Sequence, residues 1–271
     1  MPRPEVMRHM LAGENVGLCI GRAGQVVGAE QWNLAFCTRR ITDFNLFYRG
    51  GNITCPLYLY PECPDLFGMV KSQERRLNMN STLLDALAKV YGEALTPEQV
   101  FAYIYAVLYA PTYREKYADF LRLDFPRVPF PADVNTFHAL ATLGNRLVDL
   151  HLLRSAELDP PIARFEGSGD NRVTGNPREG FRYEAETQRV YINPSQYFAP
   201  VRPEVWEYRI GGYQVCVKWL KERAGRQLSL DEIRTYCRIV TALAHTLVLQ
   251  EEIDGWYGQV EEDIVPLLAG H

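Results

Sequence analysis

The sequence predicts an α+β fold in which mixed β segments, at about residues 10–60 and 180–212, pack with helices at about 82–153 and 213–254. Two observations support this class. Strand-like and helix-like patterns follow one another in the order β, α, β, α and do not alternate in short βαβ units. The chain also has 271 residues, of which 47% are hydrophobic and 23% charged, so it contains enough apolar material for a sizeable core.

The first 60 residues are predicted to form strands, preceded by one or two helical turns at residues 5–11. Residues 15–21 are a short apolar run that ends in glycine, and residues 31–37 alternate polar and apolar side chains. Residues 54–60 are rich in aromatic side chains, which are common in strands. A Gly-Gly-Asn turn sequence at residues 50–52 separates two of these runs.

Helix signals begin after a polar connector at residues 62–80. Asn80 or Ser81 can cap a first helix, which Gly92 ends. The sequence Thr-Pro-Glu-Gln at residues 96–99 then combines a Thr N-cap, a proline at the first helical position and a glutamine three residues after the cap. This pattern predicts a second, well-defined helix start.

A proline-rich segment separates two further predicted helices. The first helix covers residues 113–121, after a break at Pro111, and the second runs from Asp133 to about Leu153 with leucines at helical spacing. Between them, the prolines of residues 124–131 remove backbone donors and fix φ, which excludes regular helix and central strand. We expect this segment to be an extended connector packed on the helices.

The second half of the chain returns to turns and strands. Residues 181–185 and 189–193 predict a hairpin with its turn near residues 186–188. A short strand is expected within residues 206–213, where it ends at a Gly-Gly pair.

Two helices complete the predicted fold. One covers residues 213–223 and ends before Gly225. Ser229 and Glu232 form a capping-box pattern that starts the other, which runs to about Asp254.

Composition restricts the class of protein. No apolar run approaches the ~18 residues of a transmembrane helix, and the first residues lack the layout of a secretory signal. We therefore expect a soluble, cytoplasmic protein. The six cysteines and five histidines are scattered without a C-x-x-C pair, so the sequence predicts no metal site and no cofactor.

The charge is unevenly distributed along the chain. The formal net charge is −4, yet residues 161–227 hold eleven basic and eight acidic residues, whereas residues 228–271 hold two and eight. Of the 29 basic residues, 24 are arginine, which suits bidentate contacts to phosphate and guanine. A GC-rich genome produces the same bias, so composition alone is only a hint of a polyanionic partner.

Known catalytic motifs are absent from the sequence. It contains no phosphate-binding G-x-x-x-x-G-K-[ST] or G-x-G-x-x-G loop, and neither G-x-S-x-G nor H-E-x-x-H. The signature of adenine methyltransferases, Asn or Asp followed by two prolines and an aromatic residue, fails at Asn176 and at Asn193, which we interpret as turn residues. We interpret His138, His151 and His245 as hydrogen-bonded, half-buried side chains.

Several blocks of the sequence carry a resemblance to a known family. The longest are FAYIYAVLYAPTYREKY at residues 101–117, FLRLDFPRVP at 120–129 and LVDLHLL at 147–153; shorter ones are VMRHM at 6–10, PLYLYP at 56–61, YRIGGYQV at 208–215 and KWLKER at 218–223. In this order, over nearly the whole chain, the blocks resemble the C-terminal specificity region of type ISP restriction–modification enzymes.

The resemblance implies a target-recognition-domain-like fold over residues 1–271. It would comprise a β-rich part at 1–80, a helical part at 81–158, a loop and hairpin at 159–212 and a second helical part at 213–271. In such enzymes a nuclease, a helicase-like motor and an N6-adenine methyltransferase precede this region, which recognises an asymmetric DNA site.

The expected partners are therefore double-stranded DNA and the methyltransferase, helicase and nuclease domains of a parent enzyme, with no membrane. We expect sequence-specific recognition without catalysis by this chain, as an excised domain or as the product of a truncated or split gene.

Two basic regions are candidates for contact with DNA, since polar side chains on loops and edge strands can vary without disturbing a fold. The favoured region couples basic charge to a polar, glycine-rich loop, and its candidates are Arg172, Arg178, Arg182 and Arg189, together with Asn171, Asn176 and Gln188 and the neighbouring Arg164. The other region contains Arg39, Arg40, Arg75 and Arg76. For any single arginine, a solvated and salt-bridged surface position is an equally good interpretation.

Four tyrosines within the longest resemblance block have two interpretations. Tyr103, Tyr105, Tyr109 and Tyr117 can form a stacking platform for DNA bases, or they can pack in a core or an interface, which is the favoured interpretation.

Two other functions remain as hypotheses. A protein-interaction scaffold that docks a methyltransferase or motor domain is the alternative, supported by the net charge and by the apolar, aromatic residues 100–121. A free-standing enzyme that pairs Cys216 or Cys237 with His245 is the third, and nothing in the local sequence favours it.

Overall fold

The computed structural model describes residues 3–21, 31–48, 51–61, 75–174 and 181–266. The chain forms two compact units: unit 1 comprises Met1–Val148 and Gln250–His271, and unit 2 comprises Asp149–Leu249. Helices occur together with small antiparallel sheets, which confirms the predicted α+β class. Among the described residues, no helix combines the length and the hydrophobicity needed to cross a membrane.

Unit 1 begins with helix α1 (Pro4–Leu11) and a three-stranded antiparallel sheet of order β2-β1-β3. The strands are β1 (Gly17–Ile20), β2 (Ala35–Thr38) and β3 (Ile53–Pro56). Each strand overlaps a segment that the sequence predicts to be extended.

A second, two-stranded sheet pairs β4 (Tyr58–Leu59) with β5 (Arg76–Leu77). Strand β4 belongs to the predicted aromatic segment, which the structure divides into β3 and β4. The sequence does not predict β5, because a two-residue strand shows no periodicity. It lies at the end of the expected polar connector, of which residues 62–74 lie outside the described residues.

Local hydrogen bonds define the starts of the next two helices, as predicted. In α2 (Ser81–Tyr91), Asn80 Oδ1 accepts from the backbone N–H of Thr82 at 2.9 Å, and the helix ends at Gly92 with φ 71°. In α3 (Pro97–Tyr109), the Thr96 hydroxyl accepts from the Gln99 N–H at 3.2 Å, and Gln99 Oε1 accepts from the Thr96 N–H at 2.8 Å. These bonds satisfy donors that the first helical turn leaves unpaired.

Helix α3 lies at the centre of the unit 1 core. Tyr103, Tyr105 and Tyr109 have no exposed surface, and Tyr103 stacks on Phe137 with 4.9 Å between ring centroids. Buried phenols need hydrogen-bond partners, and Tyr109 donates to the carbonyl oxygen of Ala35 at 2.9 Å. The three tyrosines are therefore core residues, as favoured, and not a platform for bases.

The predicted helix after Pro111 is divided into α4 (Pro111–Lys116) and α5 (Ala118–Leu121). Tyr117, the fourth tyrosine of the resemblance block, lies between them and is half-buried. Its hydroxyl donates to Glu261 Oε1 at 2.9 Å, so it too has a structural role.

Residues 124–131 contain neither helix nor regular strand, as predicted. Their backbone carbonyl oxygens accept hydrogen bonds from tyrosines: Tyr113 donates to Arg127 at 3.0 Å and Tyr103 donates to Pro129 at 2.5 Å. The side chain of Phe130 is only 3% exposed. The segment is thus an extended connector that packs on the helices.

Helix α6 (Val134–His151) approaches α3 most closely at Gly144. A Cβ atom at this glycine would lie 1.9 Å from the carbonyl oxygen of Ala102 and 3.1 Å from Cβ of Ala106. Only glycine leaves room for the two backbones at this crossing.

Unit 2 contains a 3-10 turn at Ala156–Leu158 and a four-stranded antiparallel sheet of order β6-β9-β8-β7. The strands are β6 (Arg164–Glu166), β7 (Arg182–Glu184), β8 (Arg189–Tyr191) and β9 (Tyr197–Ala199). Strands β7 and β8 form the predicted hairpin. The sequence does not predict β6 and β9, because three-residue strands among turns show too little alternation.

The rest of unit 2 consists of short elements followed by a long helix, which continues into unit 1. These are α7 (Pro203–Glu207), β10 (Arg209–Ile210), β11 (Tyr213–Gln214), α8 (Val215–Lys221) and α9 (Leu230–Val260). The predicted capping box is present: the Ser229 hydroxyl accepts from the Glu232 N–H, and Glu232 Oε2 accepts from the Ser229 N–H, both at 3.1 Å.

The short strand expected within residues 206–213 is β10, which ends at the Gly-Gly pair as predicted. Two predicted helix boundaries in this region are wrong. Tyr213 belongs to strand β11, so α8 begins two residues later than predicted. Helix α9 continues past Asp254 to Val260.

We expect Gly144→Ala to lower the free energy of unfolding by about 1–3 kcal/mol, because an added methyl group forces α3 and α6 apart. Urea denaturation followed by tryptophan fluorescence measures the change.

Gly255→Ala is the matched control. Gly255 is also a helical glycine of unit 1, but no atom lies within 4 Å of its added Cβ. Alanine should therefore stabilise the helix by up to about 1 kcal/mol. Equal unfolding midpoints for the two variants would contradict the proposed crowding at Gly144.

Candidate nucleic-acid interface

The four-stranded sheet of unit 2 has one buried and one solvent-facing side. Side chains alternate along a strand, and Val190 and Phe198 point into the core with no exposed surface. Phe165 and Tyr183 pack beside them. Tyr236 of α9 covers this side, with its ring centroid 4.3 Å from that of Phe198.

The alternate residues form the opposite side of the sheet. The strand register aligns Glu166 with Tyr197, Tyr197 with Tyr191, and Tyr191 with Arg182, which makes one row across all four strands. A second row contains Arg164 opposite Ala199 and Glu184 opposite Arg189.

Two arginines on this side stack on two tyrosines. Cζ of Arg182 lies 4.0 Å from the ring centroid of Tyr191, and Cζ of Arg189 lies 4.4 Å from that of Tyr197. The two tyrosine rings are themselves 5.1 Å apart, at an interplanar angle of 51°. We call these four residues the arginine–tyrosine face. Cation–π contacts of this kind orient a guanidinium group without neutralising it.

Hydrogen bonds hold the tyrosines of this face in place. The Tyr197 hydroxyl donates to Glu166 Oε2 at 2.9 Å, and this bond raises the pKa of Tyr197. Arg189 donates to the Tyr191 hydroxyl at 3.3 Å. The face therefore has a defined arrangement.

The arginines of the favoured region differ in how many hydrogen bonds and ion pairs their guanidinium groups form. Arg182 and Arg164 are exposed, and neither meets a carboxylate or a hydrogen-bond acceptor within the described part of the chain. Arg172, by contrast, donates to the carbonyl oxygen of Gly225 at 2.7 Å and lies 3.5 Å from Asp170 Oδ2. Arg172 thus stabilises its own loop, whereas the N–H groups of Arg182 meet no acceptor among the described residues.

Asn171 is also engaged within unit 2. It has φ 60°, its Oδ1 accepts from Nε2 of the buried Gln196 at 2.7 Å, and its backbone N–H donates to Gln196 Oε1 at 2.8 Å. Gln188 occupies the β7–β8 turn with φ 52°. Asn176 and Arg178 lie outside the described residues.

The other basic region lies in unit 1. Arg39 forms an ion pair with Glu14 at 3.2 Å, and Arg75 donates to the carbonyl oxygen of the same residue at 3.4 Å. The Arg75 guanidinium also lies 3.7 Å from the ring centroid of Tyr58. Arg40 and Arg76 are exposed. The structure therefore brings Arg39 and Arg75 to one acidic residue, which reduces their availability to DNA.

The cysteines considered as nucleophiles are in unfavourable surroundings. Burial raises the pKa of Cys216 to about 12 and that of Cys237 to about 11, so both thiols are protonated at neutral pH. His245 lies 3.9 Å from Glu157, and His151 shares a hydrogen bond of 2.9 Å with Thr246. All three histidines are half-buried, as predicted, and His138, which contacts Glu93, and His151 are hydrogen-bonded as predicted. The distance from His245 to Glu157 is too long for a hydrogen bond. Among the described residues, no group of three or more His, Cys, Asp or Glu side chains is placed to hold a metal ion.

Sequence analysis did not identify Tyr191 and Tyr197 as candidates. The outward position of Tyr191 follows from the alternation of the predicted hairpin, because it is next to the apolar Ile192 and two residues from Arg189. Tyr197 belongs to β9, a strand that the sequence does not predict.

A family model covers most of the chain. The sequence model of the Type ISP C-terminal specificity domain matches residues 1–252. No curated protein has a significantly similar sequence.

Solved structures with the same fold come from much longer chains. The ATP-dependent Type ISP restriction-modification enzyme LlaBIII bound to DNA is 19% identical, with a TM-score of 0.67 over 89% of this chain. A DrdV–DNA complex is 23% identical, with a TM-score of 0.63 over 96%. A nuclease-deletion mutant of the Type ISP enzyme LlaGI, in complex with a DNA substrate mimic, is 18% identical, with a TM-score of 0.60 over 89%.

This chain covers only 16%, 26% and 18% of those three chains, respectively. It therefore corresponds to one part of each of them, and at these identities the likeness is one of fold.

We expect iodoacetamide to leave Cys216 and Cys237 of the native chain unmodified at pH 8, because their raised pKa values keep the reactive thiolate form scarce. Peptide mass spectrometry identifies the modified residues, and the same reaction in concentrated urea is the control. Rapid alkylation of either thiol in the folded chain would revive the nucleophile hypothesis.

Proposed function

The chain belongs to the Type ISP C-terminal specificity domain family, and from this membership we propose that it is the DNA target-recognition module of a restriction–modification enzyme. As one recognition domain over residues 1–271, it would select the sequence while nuclease, motor and N6-adenine methyltransferase domains of a parent enzyme perform the chemistry. Its place would be the cytoplasm, where such enzymes meet DNA.

The arginine–tyrosine face is the observation that carries this proposal. Its β7–β8 hairpin forms one edge of the four-stranded sheet, and the major groove of DNA, about 12 Å wide, admits two strands of such an edge. Arg182 and Arg189 project from the outward side of both strands. Charge of this kind, held on a rigid sheet, suits contact with phosphates and base edges.

The similar structures support the same function. LlaBIII is described as bound to DNA, DrdV as a DNA complex and LlaGI as bound to a DNA substrate mimic. By analogy, the partner of this chain is duplex DNA.

A non-catalytic role agrees with the chemistry of the chain. The sequence lacks the methyltransferase signature, and the buried thiols Cys216 and Cys237 are protonated at neutral pH. Recognition of DNA requires neither a nucleophile nor a cofactor.

A docking scaffold is the second candidate function, and one surface of unit 1 favours it. An apolar groove of about 370 Å³ lies between α4–α5 and the proline-rich segment, lined by Tyr113, Phe125 and Val128 among others. Phe120, which also lines it, is 71% exposed, and the neighbouring Leu123 is 83% exposed. Exposed apolar side chains beside a groove are typical of surfaces that meet another domain.

Salt dependence separates the two functions. We expect the chain to bind a pool of duplexes with a randomised centre, with an affinity that falls steeply as salt rises, because each neutralised phosphate contributes about −0.9 to the slope of log K against log salt. Fluorescence anisotropy of the labelled pool measures it. The double variant Arg182→Ala, Arg189→Ala should bind more weakly, with a slope shallower by about one for each phosphate contact that is lost.

Arg127→Ala is the matched control for that measurement. Combined with Arg122→Ala, it removes the same two positive charges from exposed positions of unit 1, where Arg122 and Arg127 lie 3.7 Å from Asp119 and Asp124, respectively. If the wild-type chain shows no salt-dependent binding, or if the control loses as much affinity as the double variant, DNA recognition by this face is wrong.

We expect no binding of S-adenosylmethionine, because the sequence contains neither the catalytic signature nor a glycine-rich donor loop. Isothermal titration of the chain with this cofactor tests the expectation. Binding at micromolar or tighter Kd would contradict the assignment of methyl transfer to a separate domain.

A further inference from the structure

We propose that Arg182 recognises a guanine in the major groove of the target and that Tyr191 is the residue that positions it for this contact. The proposal rests on the proposed function and assigns it a specificity-determining pair. Its basis is the geometry of the arginine–tyrosine face, in which the arginines have unequal surroundings.

Tyr191 supports the Arg182 guanidinium from below. Its Cζ lies over the ring, 4.0 Å from the centroid, which is within the range of a cation–π contact. An arginine that is held in this way loses less rotamer freedom on binding than a free one, since part of its order already exists in the unbound protein.

The donors of Arg182 have no acceptor among the described residues. Within the described ranges, 3–21, 31–48, 51–61, 75–174 and 181–266, no acceptor atom meets its guanidinium. Two parallel N–H groups of a guanidinium match O6 and N7 of guanine, which only the major groove presents together. A lysine ammonium is a point charge and cannot reproduce this fork.

Two other arginines of this region, Arg189 and Arg172, are less suited to that role. Arg189 uses one N–H group on the Tyr191 hydroxyl, at 3.3 Å. The Arg172 guanidinium donates to the carbonyl oxygen of Gly225 and forms an ion pair with Asp170. Among these three arginines, and within the described part of the chain, Arg182 therefore has the most N–H groups free to bind a base. We assign Arg189 to a contact with the phosphate backbone.

The position of Arg182 in the sheet supports the same assignment. It lies on β7, the edge strand, and on the outward side of the hairpin. In the part of the chain that the structure describes, no strand of the sheet lies beyond β7, so the side chain projects at the edge of the sheet. Tyr191 supports it from the adjacent strand in the same cross-strand pair.

Binding selection from a randomised duplex pool tests the proposal on the full chain. The wild type should select guanine at one position with a preference of about 5- to 150-fold, the range for a good bidentate contact. Arg182→Lys keeps the charge, so it should retain the salt slope and the affinity for the unselected pool but lose the guanine preference at that position alone.

Two variants of Tyr191 isolate the positioning role. Tyr191→Phe keeps the aromatic ring under Arg182, so the guanine preference should persist. Tyr191→Leu keeps apolar volume but removes the ring, so the preference at the same position should fall toward that of Arg182→Lys. A thermal melt measured by circular dichroism shows whether the variants remain folded. Because the Arg182 side chain is exposed, Arg182→Lys tests the guanine contact even if Tyr191→Leu fails to fold.

The outcomes distinguish failure of this inference from failure of the proposed function. If the wild type binds no duplex, the proposed function itself fails. If the wild type selects a sequence but Arg182→Lys retains the guanine preference, or if it weakens binding to all sequences equally, Arg182 does not recognise a base. If Tyr191→Leu leaves the preference intact, the positioning role is wrong.

Discussion

The four-stranded sheet of unit 2 has to bury one of its faces, and this constraint determines which side chains meet solvent. Val190 and Phe198 pack against Tyr236, where aromatic and β-branched side chains displace water. Because side chains alternate along each strand, the residues next to these two in the chain must point the other way. A one-residue slip in register would exchange the two sets and place charged groups in the core. The arginine–tyrosine face is thus a consequence of packing on the opposite side of the same strands.

Tyrosine has opposite roles in the two units, and burial decides between them. On α3, Tyr103 and Tyr109 are fully enclosed, so their hydroxyl groups must find carbonyl oxygens, and their rings serve as core volume. On the unit 2 sheet, Tyr191 and Tyr197 are only half-buried, and each offers a ring face to a guanidinium group. The number of aromatic residues in a segment therefore says little about whether it binds bases. The tyrosine-rich helix is the prominent feature of the sequence, yet the tyrosine rings that contact the outward arginines of unit 2 lie on the sheet.

Features that depend on a few neighbouring residues could be predicted from the sequence, whereas features that depend on distant pairing could not. The caps at Asn80 and Thr96 are local, because each side chain bonds to an N–H group two or three residues away. Strands β6 and β9 are each three residues long, and only pairing across the sheet defines them. For the same reason the sequence indicated Arg182 and Arg189, as charge near a loop, but not the stacking of these residues on Tyr191 and Tyr197. It also could not show that Asn171 and Arg172 are engaged in holding their own loop, since their partners are Gln196 and Gly225.

The charge balance of the outward sheet face bears on what kind of DNA contact it suits. Arg164, Arg182 and Arg189 face solvent together with two carboxylates, Glu166 and Glu184, so the net charge of this side is small. The carboxylates accept from the hydroxyl groups of Tyr197 and Thr187, respectively, and neither pairs with Arg182. Non-specific attraction to DNA grows with the number of phosphates neutralised, whereas sequence is recognised through the geometry of a few base contacts. A face with little net charge, on which the Arg182 guanidinium stacks on Tyr191 and meets no acceptor among the described residues, is therefore better suited to selecting a sequence than to supplying affinity. A role in selecting the sequence agrees with membership of a specificity-domain family and with the net charge of −4 for the whole chain.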